Sequence, residues 1–334
     1  MSQELNLQDI KEAAELIKDK IYRTPLIYNE FFSQLTGNKI FLKLENLQKT
    51  GAFKIRGNLN KIFHLSREEK SKGVIGASSG NHALGLALAS SLVKIKSTVV
   101  MPETTPKNKI EKAKRYGAKV IIFGEGYDEA YAKTICLQKE IGAVLIPSFD
   151  DPRIIAGQGT IALEILEQIS DVDTIIAPIG GGGLISGLLI AIKSMNSHIK
   201  VIGVQSEGAP SMYQSWKKGR ICQLKNIKTI AEGVAVKRPG SLNFSIVNKL
   251  VDDIVTVKED EITNTIGLFL KEAKIIVEGA GAVSLASLIY NKVKIKGEKV
   301  ACIVSGGNID WESLKEIIDG KLYYGTNGNR TCFY

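Results

Sequence analysis

The sequence predicts a doubly wound α/β protein, with parallel strands buried between helices on both faces. Three observations carry this. From residue 74 onward, short apolar runs alternate with stretches of helical character: "VIGA" (74–77), "STVVM" (97–101), "KVIIF" (119–123), "AVLI" (143–146), "TIIAP" (174–178), "VIGV" (201–204) and "ACIVS" (301–305). These runs are apolar throughout rather than alternating, as expected of strands covered on both faces. Glycine-bearing loops follow two of the strands directly and open helices, where parallel sheets hold their ligands.

The elements follow in order. Asn6 is placed to cap a first helix in which Ile10, Ala13, Ala14, Ile17 and Ile21 recur at helical spacing. "VIGA" leads into a helix from about residue 83, "STVVM" into one near Pro106, and "KVIIF" into one through Tyr131. "AVLI" leads to a helix over 154–169 and "TIIAP" to one over 184–193. The uncharged run 174–192 contains five glycines and Pro178, so it reads as strand, loop and helix rather than a membrane span. No repeat or long linker divides the chain. The tail "GKLYYGTNGNRTCFY" (320–334) is polar and aperiodic and is expected to be poorly ordered.

Composition narrows the function classes. Hydrophobic content of 44% with 24% charged residues is that of a soluble globular protein. The formal charge of +9, from 44 basic and 35 acidic residues, is scattered, with no basic arm or zinc-finger spacing, so no nucleic-acid partner is expected. Cys136, Cys222, Cys302 and Cys332 form no C-x-x-C pair and read as reduced thiols of a cytoplasmic protein. The N-terminus has no signal-peptide pattern.

Chemistry gathers at two loops and one lysine. The loops are "SSGNH" (78–82) and "GGGG" (180–183). Four successive glycines leave backbone N–H groups free to converge, and the helix behind adds its positive end, making a cradle for a phosphate. A merely flexible turn is the plainer alternative, disfavoured by the apolar strand-end setting. No frame through Gly180, Gly181 or Gly182 supplies G-x-G-x-x-G/A, and the one Gly-Lys pair, Gly320–Lys321, is followed by leucine, so neither NAD nor ATP suits the loop. In "ENLQKTGAFKIRGN" (45–58), Lys54 stands between Phe53 and Ile55. A lysine in a partly apolar pocket has a lowered pKa and can condense with an aldehyde. Together with a phosphate cradle, that suggests pyridoxal phosphate.

From about Arg23 to Asp310 the sequence resembles the serine/threonine dehydratase and serine racemase family of pyridoxal-phosphate enzymes, fold type II (tryptophan synthase β-like). The resemblance runs through "KTGAFKIRGN", "SSGNHALGLA", "DDPRIIAGQGTIALE", "PIGGGGLISG", "EGVAVKRPG", "VEGAGA" and "SGGN", and is greatest to the short threonine dehydratases. It implies two lobes of mostly parallel sheet flanked by helices: a large cofactor-binding lobe from 1–46 and 147–319, and a small lobe, 47–146, inserted between them. It implies that Lys54 bonds to the cofactor aldehyde and later acts as base on the substrate α-proton. Gly180, Gly181, Gly182 and Gly183 would bind the 5′-phosphate, Asn81 the 3′-oxygen, and Ser305 the ring nitrogen, with Phe53 beside the ring and Gly233 at its edge. A serine hydroxyl cannot hold that nitrogen protonated, which weakens the electron sink and suits β-elimination better than transamination. Ser78, Ser79, Gly80, Asn81 and His82 would supply the substrate-carboxylate site, although His82 itself reads as a cap or packing residue.

The function implied is loss of water from L-threonine, with L-serine as a further substrate, yielding 2-oxobutanoate or pyruvate and ammonia; the threonine reaction belongs to isoleucine biosynthesis. Serine racemase and 3-hydroxyaspartate dehydratase are the rivals. Ser79 is the acid/base residue of similar racemases and favours them. Gln205 and Ser211, where racemases carry acidic metal ligands, and Tyr131, where they carry an arginine, point back to a dehydratase. Ala52 replaces a common serine without chemical consequence. A non-catalytic binder on the same fold is the reading from another class, opposed by the joint presence of Lys54, Asn81, the tetraglycine loop and Ser305. No metal is expected, since Asp150 and Asp151 before Pro152 read as a helix start. Glu278, between a strand and a helix beside glycines, can face the cofactor and has no assigned role. Too few residues follow "SGGN" for a regulatory domain. The partner expected is an amino-acid substrate, in a homo-oligomer (dimer or tetramer) away from membranes.

Overall fold

A computed structural model describes residues 5–320; the 321–334 part of the tail, with Cys332, lies outside them. Ten strands form two sheets. They are β1 (Leu26–Tyr28), β2 (Lys39–Leu44), β3 (Val74–Ala77), β4 (Ser97–Met101), β5 (Lys119–Ile122), β6 (Val144–Leu145), β7 (Thr174–Pro178), β8 (Lys200–Ser206), β9 (Asp253–Val257) and β10 (Lys299–Val304). One sheet has the order β1-β2-β10-β7-β8-β9 and the other β5-β4-β3-β6. Every pairing is parallel except that of β1 with β2. The four-stranded sheet draws all its strands from residues 74–145, while the six-stranded sheet takes strands from either side of that stretch. The α/β class is as the apolar runs indicated.

All seven expected strands form. β1, β2 and β9 add to them: β1 is only three residues long, and lysines flank or interrupt the apolar run of β2 while Asp253 and Thr256 break that of β9. β1 and β9 lie at sheet edges and stay partly exposed. β2 reads KIFLKL, and its second lysine, Lys43, is fully buried. That lysine is held by Thr24 O at 2.7 Å, Glu164 at 2.6 Å and Gln168 at 2.9 Å. A buried ammonium demands such partners, and no local pattern reveals them.

The first helix, Leu7–Ile17, begins as expected: Asn6 accepts from Gln8 N, while Asp9 accepts from Asn6 N at 3.0 Å. It buries Ile10, Ala13 and Ile17. The helix expected over 154–169 spans Pro152–Gln168, because Asp151 caps it through the N–H groups of Arg153 and Ile154.

Three helices then stack with unusually close backbones. In Ile55–Phe63, Gly57 faces Gly157 of Pro152–Gln168, where a Cβ on Gly157 would lie 2.6 Å from the Gly57 Cα. On the other side of Pro152–Gln168, Gly159 faces Gly187 of Gly183–Met195, and a Cβ on Gly187 would lie 2.5 Å from the Gly159 nitrogen. Only glycine allows both approaches. The stack joins the helix that follows Lys54 to the helix that follows the tetraglycine loop.

Candidate active site

Strand β7 ends at Pro178, and the chain turns through Gly180–Gly183 into the helix Gly183–Met195. Gly182 sits at φ +104°, and a Cβ there would come 2.7 Å from the Asn243 Cβ. A Cβ on Gly181 would lie 2.5 Å from three ring atoms of Phe149, and one on Gly183 would lie 3.0 Å from the Phe149 carbonyl oxygen. Side chains are thus excluded by a ring, a carbonyl and a left-handed turn. Among the described residues, none of the four glycine N–H groups meets a protein acceptor, and Gly181, Gly182 and Gly183 are buried. Buried N–H groups without acceptors at the positive end of a helix call for an anion. A phosphate monoester fits this donor set.

Lys54 is half-buried at the start of the helix Ile55–Phe63. Its Nζ donates to Ser148 O at 2.9 Å and lies 5.2 Å from the centre of the Phe53 ring. Ser148 adjoins Phe149, so one short segment after β6 touches both the lysine and the glycine loop. Burial pushes the Lys54 ammonium down to about 8, opposed by the negative charge of Glu278. At pH 7 that raises the neutral amine fraction from about 0.03% to about 10%. Phe53 N donates to Ser305 O at 3.2 Å, and Ala52 bridges to Gly306, so the lysine segment is pinned to the end of β10. Ser305 is buried there at 3% exposure.

A second helix start faces the same region. Strand β3 runs through Ser78, Ser79 and Gly80 into Asn81–Leu92. Gly80 N donates to Ser78 Oγ at 3.1 Å, which leaves the Ser78 hydroxyl proton free to donate outward. The N–H groups of Ser79, Asn81 and His82 find no protein acceptor among the described residues. A Cβ on Gly80 would meet nothing within 4 Å, so the loop borders open space. Unpartnered N–H groups at a helix start suit an anion such as a carboxylate. The His82 ring points away from that space: it is 4% exposed, donates from Nε2 to Ile146 O at 3.0 Å, and burial holds it neutral with its pKa near 3. Only its backbone can serve the loop.

Asn81, Gly233, Glu278 and Gly306 converge. Asn81 Nδ2 donates to Glu278 Oε1 at 2.6 Å. A Cβ on Gly306 would lie 2.3 Å from that same oxygen, and one on Gly233 would lie 3.5 Å from it and 3.9 Å from Asn81 Nδ2. Gly233 O in turn lies 3.2 Å from where a Gly180 Cβ would stand. Burial pushes the Glu278 carboxyl up to about 7, against the hydrogen bond from Asn81 and the charge of Lys109. The structure therefore brings Phe53, Lys54, Ser78, Ser79, Gly80, Asn81, the four loop glycines, Gly233 and Ser305 to one region, and adds Glu278 firmly to it.

Four contributors were not legible in advance. Ser148 and Phe149 follow β6, and the end of a parallel strand was the one signal available for them. Asn308 lies within "SGGN" but received no role. Asp150 accepts from the N–H groups of Ser241, Leu242 and Asn243 at 2.9, 3.1 and 3.3 Å. It thereby caps the helix Ser241–Leu250 beside Gly182, while Asp151 caps its own helix. Of the discriminating positions, Gln205 spends its amide on Ile179 O at 3.1 Å and Tyr213 N at 2.8 Å. Ser211 is fully buried, and Tyr131 stacks on Tyr127 with ring centres 5.9 Å apart.

A parallel α/β scaffold that points two helix starts and a deprotonation-prone lysine at one cleft defines an enzyme working through an aldehyde cofactor with a phosphate. Comparison with known proteins agrees. Residues 17–306 match the family described as "Pyridoxal-phosphate dependent enzyme", and the chain belongs to that family. It is 51% identical over 318 residues to an L-threonine ammonia-lyase of Thermotoga maritima, covering 95% of this chain and 79% of that one. It is 45% identical over 313 residues to the catabolic L-threonine dehydratase of Escherichia coli K12, covering 93% of this chain and 95% of that one. Among solved structures, maize serine racemase superposes with a TM-score of 0.90 at 38% identity, covering 96% of this chain and 98% of that one.

Proposed function

We propose that this protein removes water from L-threonine, and from L-serine, and that water then hydrolyses the resulting enamine, giving 2-oxobutanoate or pyruvate and releasing ammonia. The observation that carries the reading is the placement of Lys54: a lysine held near pKa 8 on Ser148 O, one residue from the phenylalanine that seals the phosphate cradle. The named activities of the threonine ammonia-lyase and dehydratase relatives support the substrate.

The residues present fit pyridoxal phosphate. Gly180–Gly183 would hold its phosphate, Asn81 its ring oxygen, Ser305 its ring nitrogen, and Phe53 would pack beside the ring. When bound, the cofactor supplies a carbon that bonds to amines and a ring that draws electrons from the substrate Cα. The chain does the rest. Neutral Lys54 Nζ is the nucleophile toward an aldehyde and, once released from it, the base that takes the proton from Cα. The Ser78–His82 loop holds the substrate carboxylate with backbone N–H groups and the Ser78 hydroxyl, which orients the Cα–H bond. Phe53, with its ring centre 5.2 Å from Nζ, gives the lysine an apolar neighbour, and burial lowers the pKa of its ammonium.

Ser79 and the likeness to serine racemases support a second reading, in which Ser79 exchanges a proton at Cα on the face opposite Lys54. Gln205, whose amide is committed to backbone partners, and Ser211 offer no carboxylate for a racemase cation. We take dehydration as the main activity. A cytoplasmic, homo-oligomeric enzyme with 47–146 as the inserted lobe completes the reading. The strand-to-sheet assignment supports the last of these, and light scattering tests the oligomer. The deciding experiment measures 2-oxobutanoate from L-threonine with cofactor-loaded protein, with Lys54→Ala as control. Product that vanishes in the variant supports the proposal. No product from a protein that carries the cofactor overturns it, and L-serine and 3-hydroxyaspartate are then the substrates to assay.

A further inference from the structure

The side chain meant to meet the cofactor's ring oxygen is itself the third member of a chain of hydrogen bonds. Lys112 Nζ donates to Asn308 Oδ1 at 2.9 Å. Asn308 Nδ2 donates to Thr50 O at 2.8 Å and to Asn81 Oδ1 at 2.8 Å. Asn81 Nδ2 donates to Glu278 Oε1 at 2.6 Å. The direction of the chain follows from chemistry alone. An ammonium only donates, so Asn308 must turn its oxygen to Lys112. A backbone carbonyl only accepts, so Asn308 must turn its nitrogen to Thr50. That nitrogen's second N–H then donates to Asn81, which must present its oxygen and so turn its own nitrogen to Glu278. Both amides are fixed: a flip of Asn308 would break three of these bonds and a flip of Asn81 two. One N–H of Asn81 is left over.

Packing supports the same conclusion independently. Two glycines clear the space in which the chain lies: a Cβ on Gly51 would come 2.5 Å from Asn308 Oδ1, and one on Gly306 would come 2.3 Å from Glu278 Oε1. The chain also crosses from one sheet's surroundings to the other's. Lys112 stands on the helix Lys107–Arg115 between β4 and β5, whereas Glu278 and Asn308 flank β10 of the six-stranded sheet. Lys109, on that same helix, reaches Glu232, the neighbour of Gly233, at 2.6 Å.

We propose that Lys112, Asn308, Asn81 and Glu278 form a directional relay that locks the Asn81 amide so that its remaining N–H is presented to the ring oxygen of the bound cofactor. Glu278, Asn308 and Lys112 are positioning residues in this scheme and touch no reacting atom. The proposal rests on the reading of the cleft as the pyridoxal-phosphate site. Its range extends to the small sheet: displacement of the Lys107–Arg115 helix would loosen the cofactor's grip through Asn308.

The test uses absorption by the bound cofactor, without substrate, together with its dissociation constant measured by titrating pyridoxal phosphate into apoprotein. Glu278→Ala and Asn308→Ala are expected to weaken cofactor binding about tenfold, the loss of roughly one charge-assisted bond, and to shift the visible band. Glu278→Gln keeps a carbonyl acceptor for Asn81 and is expected to restore both the wild-type band and affinity. Alanine variants with the wild-type band and affinity would overturn the relay, as would a glutamine variant no better than alanine. If Glu278→Ala does not fold, Asn308→Ala, half-buried and away from the ring, decides by the same two readouts. A wild-type protein that binds no pyridoxal phosphate would overturn the reading of the cleft, and the relay with it.

Discussion

Arg56, two residues after Lys54, is fully buried and bonds two carboxylates. Its Nε and one terminal nitrogen each donate to Glu45 at 2.8 Å, and its terminal nitrogens reach Glu164 at 2.6 and 3.1 Å and the Thr160 hydroxyl at 3.1 Å. In Arg56→Met, Glu45, also fully buried, keeps only the Thr24 hydroxyl, while Glu164 keeps Lys43. Breaking a buried pair from one side costs about 3–5 kcal/mol, a large part of the roughly 5–15 kcal/mol that holds a domain folded. The loss should depend on pH. Burial alone would raise the Glu164 carboxyl, but Arg56 and Lys43 outweigh it and hold it below the usual 4.5. A depressed carboxyl contributes stability that is complete above its unfolded pKa and disappears as pH falls through its folded one. The variant forfeits most of that contribution, so the gap between the two proteins is widest at neutral pH and narrows in acid. Urea unfolding of cofactor-loaded protein, followed by far-UV circular dichroism at pH 7.5 and again near pH 4, measures both. A loss under about 1 kcal/mol at pH 7.5, or an equal loss at the two pH values, would refute the reasoning. Glu45→Leu added to Arg56→Met removes the stranded carboxylate and is expected to recover part of the loss. Arg56→Lys is expected to recover little, because an ammonium cannot span two carboxylates with the geometry of the guanidinium fork.

Gly181→Ala drives a methyl into the Phe149 ring, and at about 1–3 kcal/mol for overpacking it should weaken pyridoxal-phosphate binding roughly ten- to a hundredfold in equilibrium titration; unchanged affinity would contradict the cradle. In apoprotein, Lys54 is held near 8 against 10.5, so the unfolded chain binds more protons than the folded one between those values and stability rises with pH across that window. Melting curves at pH 8 and pH 10 should show a steeper rise for wild type than for Lys54→Met, and equal slopes would count against a buried amine. Asp150→Ala removes the cap of the Ser241–Leu250 helix beside Gly182. It is expected to cost about 1–2 kcal/mol in urea unfolding, and no measurable loss would argue against the capping role.

What could be read in advance was what local pattern encodes. Continuous apolar runs announced the buried parallel strands, and four glycines at a strand end announced an anion site, because both are properties of neighbouring residues. Lys54 stood out by its flanks, Phe53 and Ile55. What could not be read depends on distant partners. The buried Lys43 interrupts β2 and is tolerable only because Glu164 and Gln168 arrive from a helix more than a hundred residues away. Ser148 became part of the site through a carbonyl, and carbonyls carry no residue signature. His82 reads as a cap or packing residue in the sequence and packs in the structure: its ring is bonded to Ile146 O, so a titratable residue in the right loop need not carry a chemical role.

The arrangement also accounts for why one lysine is less readily charged than usual in a cleft suited to anions. Two helix starts, Asn81–Leu92 and Gly183–Met195, point their positive ends at the cleft, so a phosphate and a carboxylate are both stabilised by fixed dipoles. Were Lys54 a full cation it would add a third positive end, and it would pair with the arriving carboxylate instead of bonding to an aldehyde. Burial lessens this by bringing the amine to about 8, so that about a tenth of it is neutral at pH 7 and about half at pH 8, and Glu278, lifted to about 7, supplies only part of the negative charge that would restore the cation. Burial therefore moves both groups toward their neutral forms. Replacing Glu278 should lower the pKa of the Lys54 ammonium further, because its negative charge opposes the effect of burial there.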